Sequence, residues 1–236
     1  MSIIAFIPAR AGSKRVINKN ILNLGGHPLI YHTLKVAKKS KLFNKIFCIT
    51  DSKKYQNIAL KFGSNKFPLR PKKISTSKSP DSAWIKWALK ICQNKKIKFD
   101  IFFILRPTSP FRSIEMLKKG LRIFYKTKCH SVRGVELTTV HPGKIWLKKE
   151  QFIKPLIKKK IKRIPWHSNQ YAALPIYYAQ NASLEICKKN NIQKFGQFSG
   201  IKIAPLITKG FEGFDINSKI DFEYARIIYK KIKSLQ

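Results

Sequence analysis

An α/β protein with a doubly wound, mostly parallel sheet is what this sequence predicts, on three observations. Short apolar runs at Ser2 to Ile7, Lys45 to Thr50 and Asp100 to Leu105 have the length and continuity of strands buried on both faces. Each is followed by a stretch with helical spacing, and such β-α alternation implies parallel strands with crossover helices. Between the first run and its helix lies a small-residue loop carrying Arg10, Lys14, Arg15 and Lys19. A basic loop at the carboxyl end of a first strand is where open α/β sheets bind ligands, and its charges suit a polyphosphate.

Along the chain, Pro28 to Ala37 reads as the first helix, with Pro28 at a first helical position. The second strand ends at Asp51-Ser52, and Lys53 to Phe62 is helical. A third strand is expected just before Leu69-Arg70-Pro71. Asp81 to Gln93 places Trp84, Ile85, Ala88, Leu89 and Cys92 on one helix face, with Asp81 or Ser82 as its cap. Ser113 caps a helix running to Tyr125. From about Thr138 to Ala173 the pattern loosens into a basic excursion with Trp146 and Trp166, a lid or dimerisation arm within a single 1–236 domain. Strand-like runs return at Leu174 to Ile186 and Ile201 to Ile207. A helix from about Ile220 to Ile232, opened by Ser218 or Asp221, closes the chain.

Composition narrows the function classes. There is no run of 18 apolar residues for a membrane span, and no basic region ahead of an apolar segment with a cleavage site, so a cytoplasmic protein is expected. Cys48, Cys92, Cys129 and Cys187 lie far apart, without metal or disulfide spacing. The net charge of +38 invites nucleic acid as a partner, but 40 of the 49 basic residues are Lys and they are scattered along the whole chain. Solvated helix faces explain that distribution better than a recognition surface, so no specific nucleic acid is expected. His32, His130, His141 and His167 show no partner pattern. No Walker A sequence and no G-x-G-x-x-G is present.

The letters of the first loop are more specific. Ala9-Arg10, Ser13-Lys14 and Lys19-Asn20 resemble the amino-terminal signature of the acylneuraminate cytidylyltransferases, which make CMP-activated nine-carbon sugar acids. Related CMP-Kdo synthetases carry Lys-Pro where Lys19-Asn20 stands. Leu69-Arg70-Pro71 is similar to the family's Leu-Arg-Pro, and Arg106-Pro107-Thr108-Ser109-Pro110-Phe111-Arg112 to its Gln-Pro-Thr-Ser-Pro-Leu-Arg. Leu174-Pro175 with Asn181 and the Asp215-Ile216-Asn217 segment complete the series in the family's order.

The resemblance implies a nucleotide-diphospho-sugar transferase-like, Rossmann-like fold, with CTP and a 2-keto sugar acid as substrates and CMP transfer as the reaction. It places Arg10, Gly12, Ser13, Lys14, Lys19, Asn20, Arg70 and Ser82 at CTP. It places Arg106, Thr108, Ser109, Gln170 and Asn181 at the sugar acid. Arg10, Lys19 and Asp215 become the catalytic set, and Asp215 with Asn217 the holders of Mg²⁺. Two oxygen ligands at i and i+2 of an extended segment point the same way and suit that hard cation. Three departures stand out: Arg106 for Gln, Ala182 for Gly and Asn217 for Asp. As an Arg, residue 106 could pair with the substrate carboxylate. The resemblance also implies a homodimer. Other readings are a nucleotidyltransferase of the same fold for another acceptor such as Kdo, or a non-catalytic basic binding protein.

Overall fold

The computed structural model describes residues 2–234, and its contacts divide the chain into two compact units. The first comprises Met1–Gly134 and Asn181–Gln236, and the second Val135–Gln180.

A six-stranded sheet organises the first unit. Its strands are β1 (Ile3–Pro8), β2 (Lys45–Ile49), β3 (Ile101–Ile104), β4 (Ser131–Leu137), β5 (Tyr178–Lys188) and β6 (Ile203–Ile207), in the order β6-β4-β5-β3-β1-β2. β1 pairs in parallel with β2 on one side and β3 on the other, whereas β5 runs antiparallel to β3. The sheet is therefore mixed, with its parallel part at β3-β1-β2. Because the chain goes outward from β1 to β2 and then returns to β3, the order reverses between β1 and β3. Their carboxyl ends form the crevice where such sheets take ligands.

Alternation along β1 sets the two layers. Ile3, Ala5 and Ile7 face a core containing Leu34 of α1 (Leu29–Ser40), Tyr55 and Ala59 of α2 (Lys53–Lys61), and Leu117 of α4 (Ile114–Thr127). Ile4 and Phe6 face the opposite core, with Trp84, Ile85, Ala88 and Cys92 of α3 (Asp81–Asn94). A third cluster of Leu24, Leu29, Ile216, Phe222 and Ala225 fastens α6 (Lys219–Ser234), which follows the short α5 (Asn191–Phe195), beside the start of α1. It brings the Asp215–Asn217 segment to the first loop.

Several expectations are revised. No strand precedes Leu69; residues 64–70 lack a ladder, their backbone pairing with the sheet being an isolated bridge between Phe47 and Asn65. Phe67 buries its ring there without strand pairing. Neither Asp81 nor Ser82 caps α3: Pro80 holds that position without a side-chain bond, and Asp81 is turned to other partners described below. β4 was absent from the sequence reading, because Arg133, Gly134 and Glu136 break its apolar pattern. β5 begins at Tyr178 rather than Leu174, because Tyr171–Ala173 forms a 3-10 turn just before it. Ser113 does cap α4, accepting from the Met116 amide at 2.9 Å. Ser218 and Asp221 cap α6 reciprocally, each side chain accepting from the other's amide, at 3.2 and 2.7 Å.

The second unit, taken by itself, holds two antiparallel hairpins, Trp146–Lys149 with Phe152–Pro155 and Lys160–Ile161 with Ile164–Pro165. Short 3-10 turns follow. His141 orders its interior, accepting from Gly143 at 2.9 Å and bonding the Pro175 carbonyl at 3.0 Å. All four cysteines are unpaired and buried, and burial raises the thiol pKa of Cys48 and Cys92 to about 12.

Candidate active site

The loop after β1 is held by its backbone. Ala9 donates to the Ile49 carbonyl at 3.0 Å, and Ala11 to the Asp51 carboxylate at 2.8 Å. Asn20 is buried and donates to the Arg10 carbonyl at 3.1 Å, closing the loop on itself. Asn18 adopts a left-handed φ of 54° and accepts from the Tyr55 hydroxyl at 3.1 Å, which turns the chain into the short helix Lys19–Ile21. The loop's cations keep donors free. Arg10 uses one nitrogen on the Gly12 carbonyl at 2.6 Å, and Lys14 is exposed. Gly12 has room for a Cβ, the nearest atom being on Arg10 at 3.7 Å, so no close packing explains it.

Lys19 reaches across to α6. Its Nζ donates to the Ile216 carbonyl at 2.5 Å, between Asp215 and Asn217. Burial lowers its pKa, helped by Arg15 and Arg10, while Asp215 and Asp221 pull the other way. Asp215 and Asn217 do point the same way: the Asn217 amide donates to Asp215 Oδ2 at 2.7 Å. The other oxygen, Asp215 Oδ1, is buried without a hydrogen-bond partner. Asn217 Oδ1 accepts from Arg15 at 3.4 Å. Among the described residues no group of three or more His, Cys, Asp or Glu side chains could hold a metal. One unpartnered buried carboxylate oxygen fits a cation that takes most of its ligands from phosphate and water, as Mg²⁺ does.

The loop after β3 is built differently. Arg112 is buried and donates to the Ser183 carbonyl, to Thr33 Oγ1 at 3.1 Å and to the Arg106 carbonyl at 2.9 Å. Ser109 is fully buried with its hydroxyl unpartnered, and the Thr108 carbonyl accepts from the Ile216 amide at 2.9 Å. Arg106 forms ion pairs with Glu185 and, at 2.6 Å, with Asp81. Glu185, opposite Ile104 in the β5–β3 register, also accepts from Arg133 at 2.6 Å. Burial works against the Arg106 charge, but the two carboxylates more than offset it and hold its pKa above the ordinary guanidinium value. Both terminal nitrogens of Arg106 thus carry internal partners.

Asn181 is buried. It donates to Thr208 Oγ1 at 3.1 Å and accepts from Ser183, and a Cβ on Gly134 would meet its oxygen at 2.7 Å. Only glycine at 134 lets β4 pass there. Gln170 lies in the second unit, just before the Tyr171–Ala173 turn.

An open cleft of about 190 Å³ runs between the two loops. Arg10, Ser13, Lys19, Asn20, Arg70, Arg106 and Thr108 line it, as the sequence suggested. Arg70 is buried, and its guanidinium is anchored on the Ile74 carbonyl. That carbonyl ends the short turn Lys72–Ile74, and beyond it a stretch that sequence reasoning missed brings Thr76, Ser77, Ser79 and Asp81, rather than Ser82, to the cleft lining. The hydroxyl run from Ser75 to Ser79 was the available signal. The lining holds four cations, with Asp81 as its acidic member.

The family model described as cytidylyltransferase matches residues 4–232. The chain belongs to the cytidylyltransferase family. It is therefore of the nucleotidyltransferase class of enzymes. Among curated relatives, it is 31% identical over 232 residues to the CMP-N,N'-diacetyllegionaminic acid synthase of Legionella pneumophila, covering 94% of each chain. It is 30% identical over 233 residues to the N-acylneuraminate cytidylyltransferase of Escherichia coli, covering 97% of this chain and about half, 52%, of that relative. In fold it matches a CMP:2-keto-3-deoxy-manno-octonic acid synthetase solved with CTP, with a TM-score of 0.68, 14% identity and coverage of 98% and 99%.

Proposed function

We propose that this cytidylyltransferase moves CMP from CTP to the anomeric hydroxyl of a nonulosonic, sialic-acid-like sugar acid and releases pyrophosphate. The observation that carries the reading is the cleft at the β1–β3 reversal, where Lys19 reaches from the CTP loop to the Ile216 carbonyl beside the unpartnered Asp215 oxygen. The family match and the full-length similarity to a legionaminic acid synthase support the acceptor class.

In this reading Arg10, Ser13, Lys14 and Lys19, with the Gly12 backbone, hold the triphosphate, while Asn20, Arg70 and the Thr76–Ser79 hydroxyls just before Ser82 flank the nucleoside. Arg106, Thr108, Ser109 and Asn181 form the acceptor side, with Ser109 and Asn181 acting from within the wall. The attacking hydroxyl and the α-phosphorus need alignment, and the leaving pyrophosphate needs positive charge. Lys19 and Arg10 supply that charge from the protein. Asp215, with Asn217 beside it, would hold Mg²⁺, which neutralises phosphate oxygens when bound. No nucleophilic side chain is required, and the raised thiol pKa values of Cys48 and Cys92 agree with that.

We assign the dimer contact to the second unit. Of the 23 large hydrophobic side chains exposed among the described residues, 12 fall within Val135–Gln180. Among the described residues no helix is long and apolar enough to cross a membrane. Four unpaired buried thiols support a reducing, cytoplasmic setting.

The test is pyrophosphate release with Mg²⁺ across the four NTPs and a panel of N-acetylneuraminate, N,N'-diacetyllegionaminate, pseudaminate and Kdo. CTP-dependent release with at least one nine-carbon acid is expected. Release with Kdo alone, or with none of the acids, would overturn the reading.

A further inference from the structure

The four-charge chain Arg133–Glu185–Arg106–Asp81 is the most heavily paired ionic network among the described residues, in a protein with only 11 acidic residues. Its two ends differ. The Glu185 side chain is only 2% exposed, and removing Arg106 would leave a buried carboxylate with Arg133 alone. The Asp81 side chain is 43% exposed and faces the cleft. Asp81 also has other support. Its Oδ1 accepts from the Trp84 indole at 2.7 Å, and it stands at the positive amino end of the 14-residue α3. It can give up Arg106 without being stranded.

From this asymmetry we infer that Asp81 is an internal stand-in for the acceptor's carboxylate, exchanging with it on Arg106. One terminal nitrogen of Arg106 stays neutralised by Glu185. The other holds Asp81 when the cleft is empty of acceptor and the sugar acid's carboxylate when it is filled. A guanidinium donates to either carboxylate with the same geometry, so the exchange conserves the hydrogen bond. Asp81 thereby becomes a specificity-determining residue. It weakens every acceptor by the fraction of time it occupies the fork, and a ligand without a carboxylate cannot displace it. The inference rests on the proposed function, whose acceptor is a 2-keto acid.

The test is calorimetric titration of the CTP-saturated protein, without divalent metal, with N-acetylneuraminate and N,N'-diacetyllegionaminate. Asp81→Asn keeps an oxygen for Trp84 while weakening the competitor, so sugar-acid affinity should rise about threefold or more. Arg106→Gln should lower it about tenfold, and in that background Asp81→Asn should have no further effect. CTP affinity should stay within about twofold in all three variants. Unchanged or weaker sugar-acid binding in Asp81→Asn overturns the exchange, as does a gain that persists without Arg106. Failure of the parent protein to bind CTP at all overturns the proposed function and this inference with it.

Discussion

The two loops that wall the cleft carry the same kind of residue and use it in opposite ways. After β1, Arg10 and Lys19 are steadied by single carbonyl contacts, on Gly12 and Ile216, while bonds between the loop's own backbone and Ile49, Asp51 and Asn20 hold the loop. After β3, Arg106 and Arg112 are themselves the scaffold, their nitrogens committed to Glu185, Asp81, Ser183, Thr33 and a carbonyl of their own loop. A cation at the carboxyl edge of a sheet therefore meets a ligand directly where its donors are unspent, and only by exchanging a partner where they are committed. Position alone does not separate the two cases; the partners do.

The comparison breaks most visibly where the first loop meets α6. Asp215→Ala removes the carboxylate whose Oδ1 has no protein partner, so the fold should lose little. Turnover should fall by about a thousandfold or more, the scale of removing a group that stabilises transition-state charge. Steady-state pyrophosphate release alongside thermal melting checks both halves. Near-normal turnover would remove Asp215 from the machinery.

A buried scaffold arginine and a loop arginine should fail in opposite assays. Burial and the charge of Arg106 both work against the Arg112 cation, yet it ties Ser183 on β5 to Thr33 on α1 and to the Arg106 carbonyl. Arg112→Ala removes the donor those acceptors share and should cost about 3 kcal/mol in urea unfolding, with the slope unchanged. Arg10→Ala should change stability by no more than about 0.5 kcal/mol, as a surface substitution does, while CTP affinity drops about tenfold. If Arg10→Ala proved the more destabilising of the two, the division between the loops would collapse.

How far the sequence reveals this division depends on what each residue touches. The β1 loop was legible because its function lies in its own letters and in the strand before it. β1, β2, β3 and five of the helices were legible for the same reason: their patterns are local. The third strand was misread because Lys66-Phe67-Pro68-Leu69 has strand-like burial at Phe67, yet no neighbouring chain offers it a ladder. β4 was missed because Arg133, Gly134 and Glu136 interrupt its pattern. Gly134 is required by contact with Asn181, 47 positions later in the chain. The internal pairing of Arg106 was not legible because its partners, Asp81 and Glu185, come from α3 and β5, and no local pattern announces that meeting. Long-range pairing is what a single sequence hides.

The smallest effect concerns Lys19, which belongs to the ligand-facing loop but is half-buried like a scaffold residue. Burial and the neighbouring Arg15 and Arg10 charges hold its pKa below the ordinary 10.5. Its ammonium is the form that serves phosphate, so the alkaline limb of kcat/KM should begin below that value. Arg15→Gln removes one of the depressing charges and should move the limb to higher pH. Arg15 is exposed, so the shift should shrink as salt is raised. The stability sign runs the opposite way. Between the lowered folded value and 10.5 the unfolded chain holds the proton that the folded chain has released, so stability rises with pH across that window. Narrowing the window with Arg15→Gln should flatten the rise in urea-derived stability while the activity limb moves up. A limb that stays fixed at low salt would show that Lys19 is not the group titrating, and would return it to the scaffold.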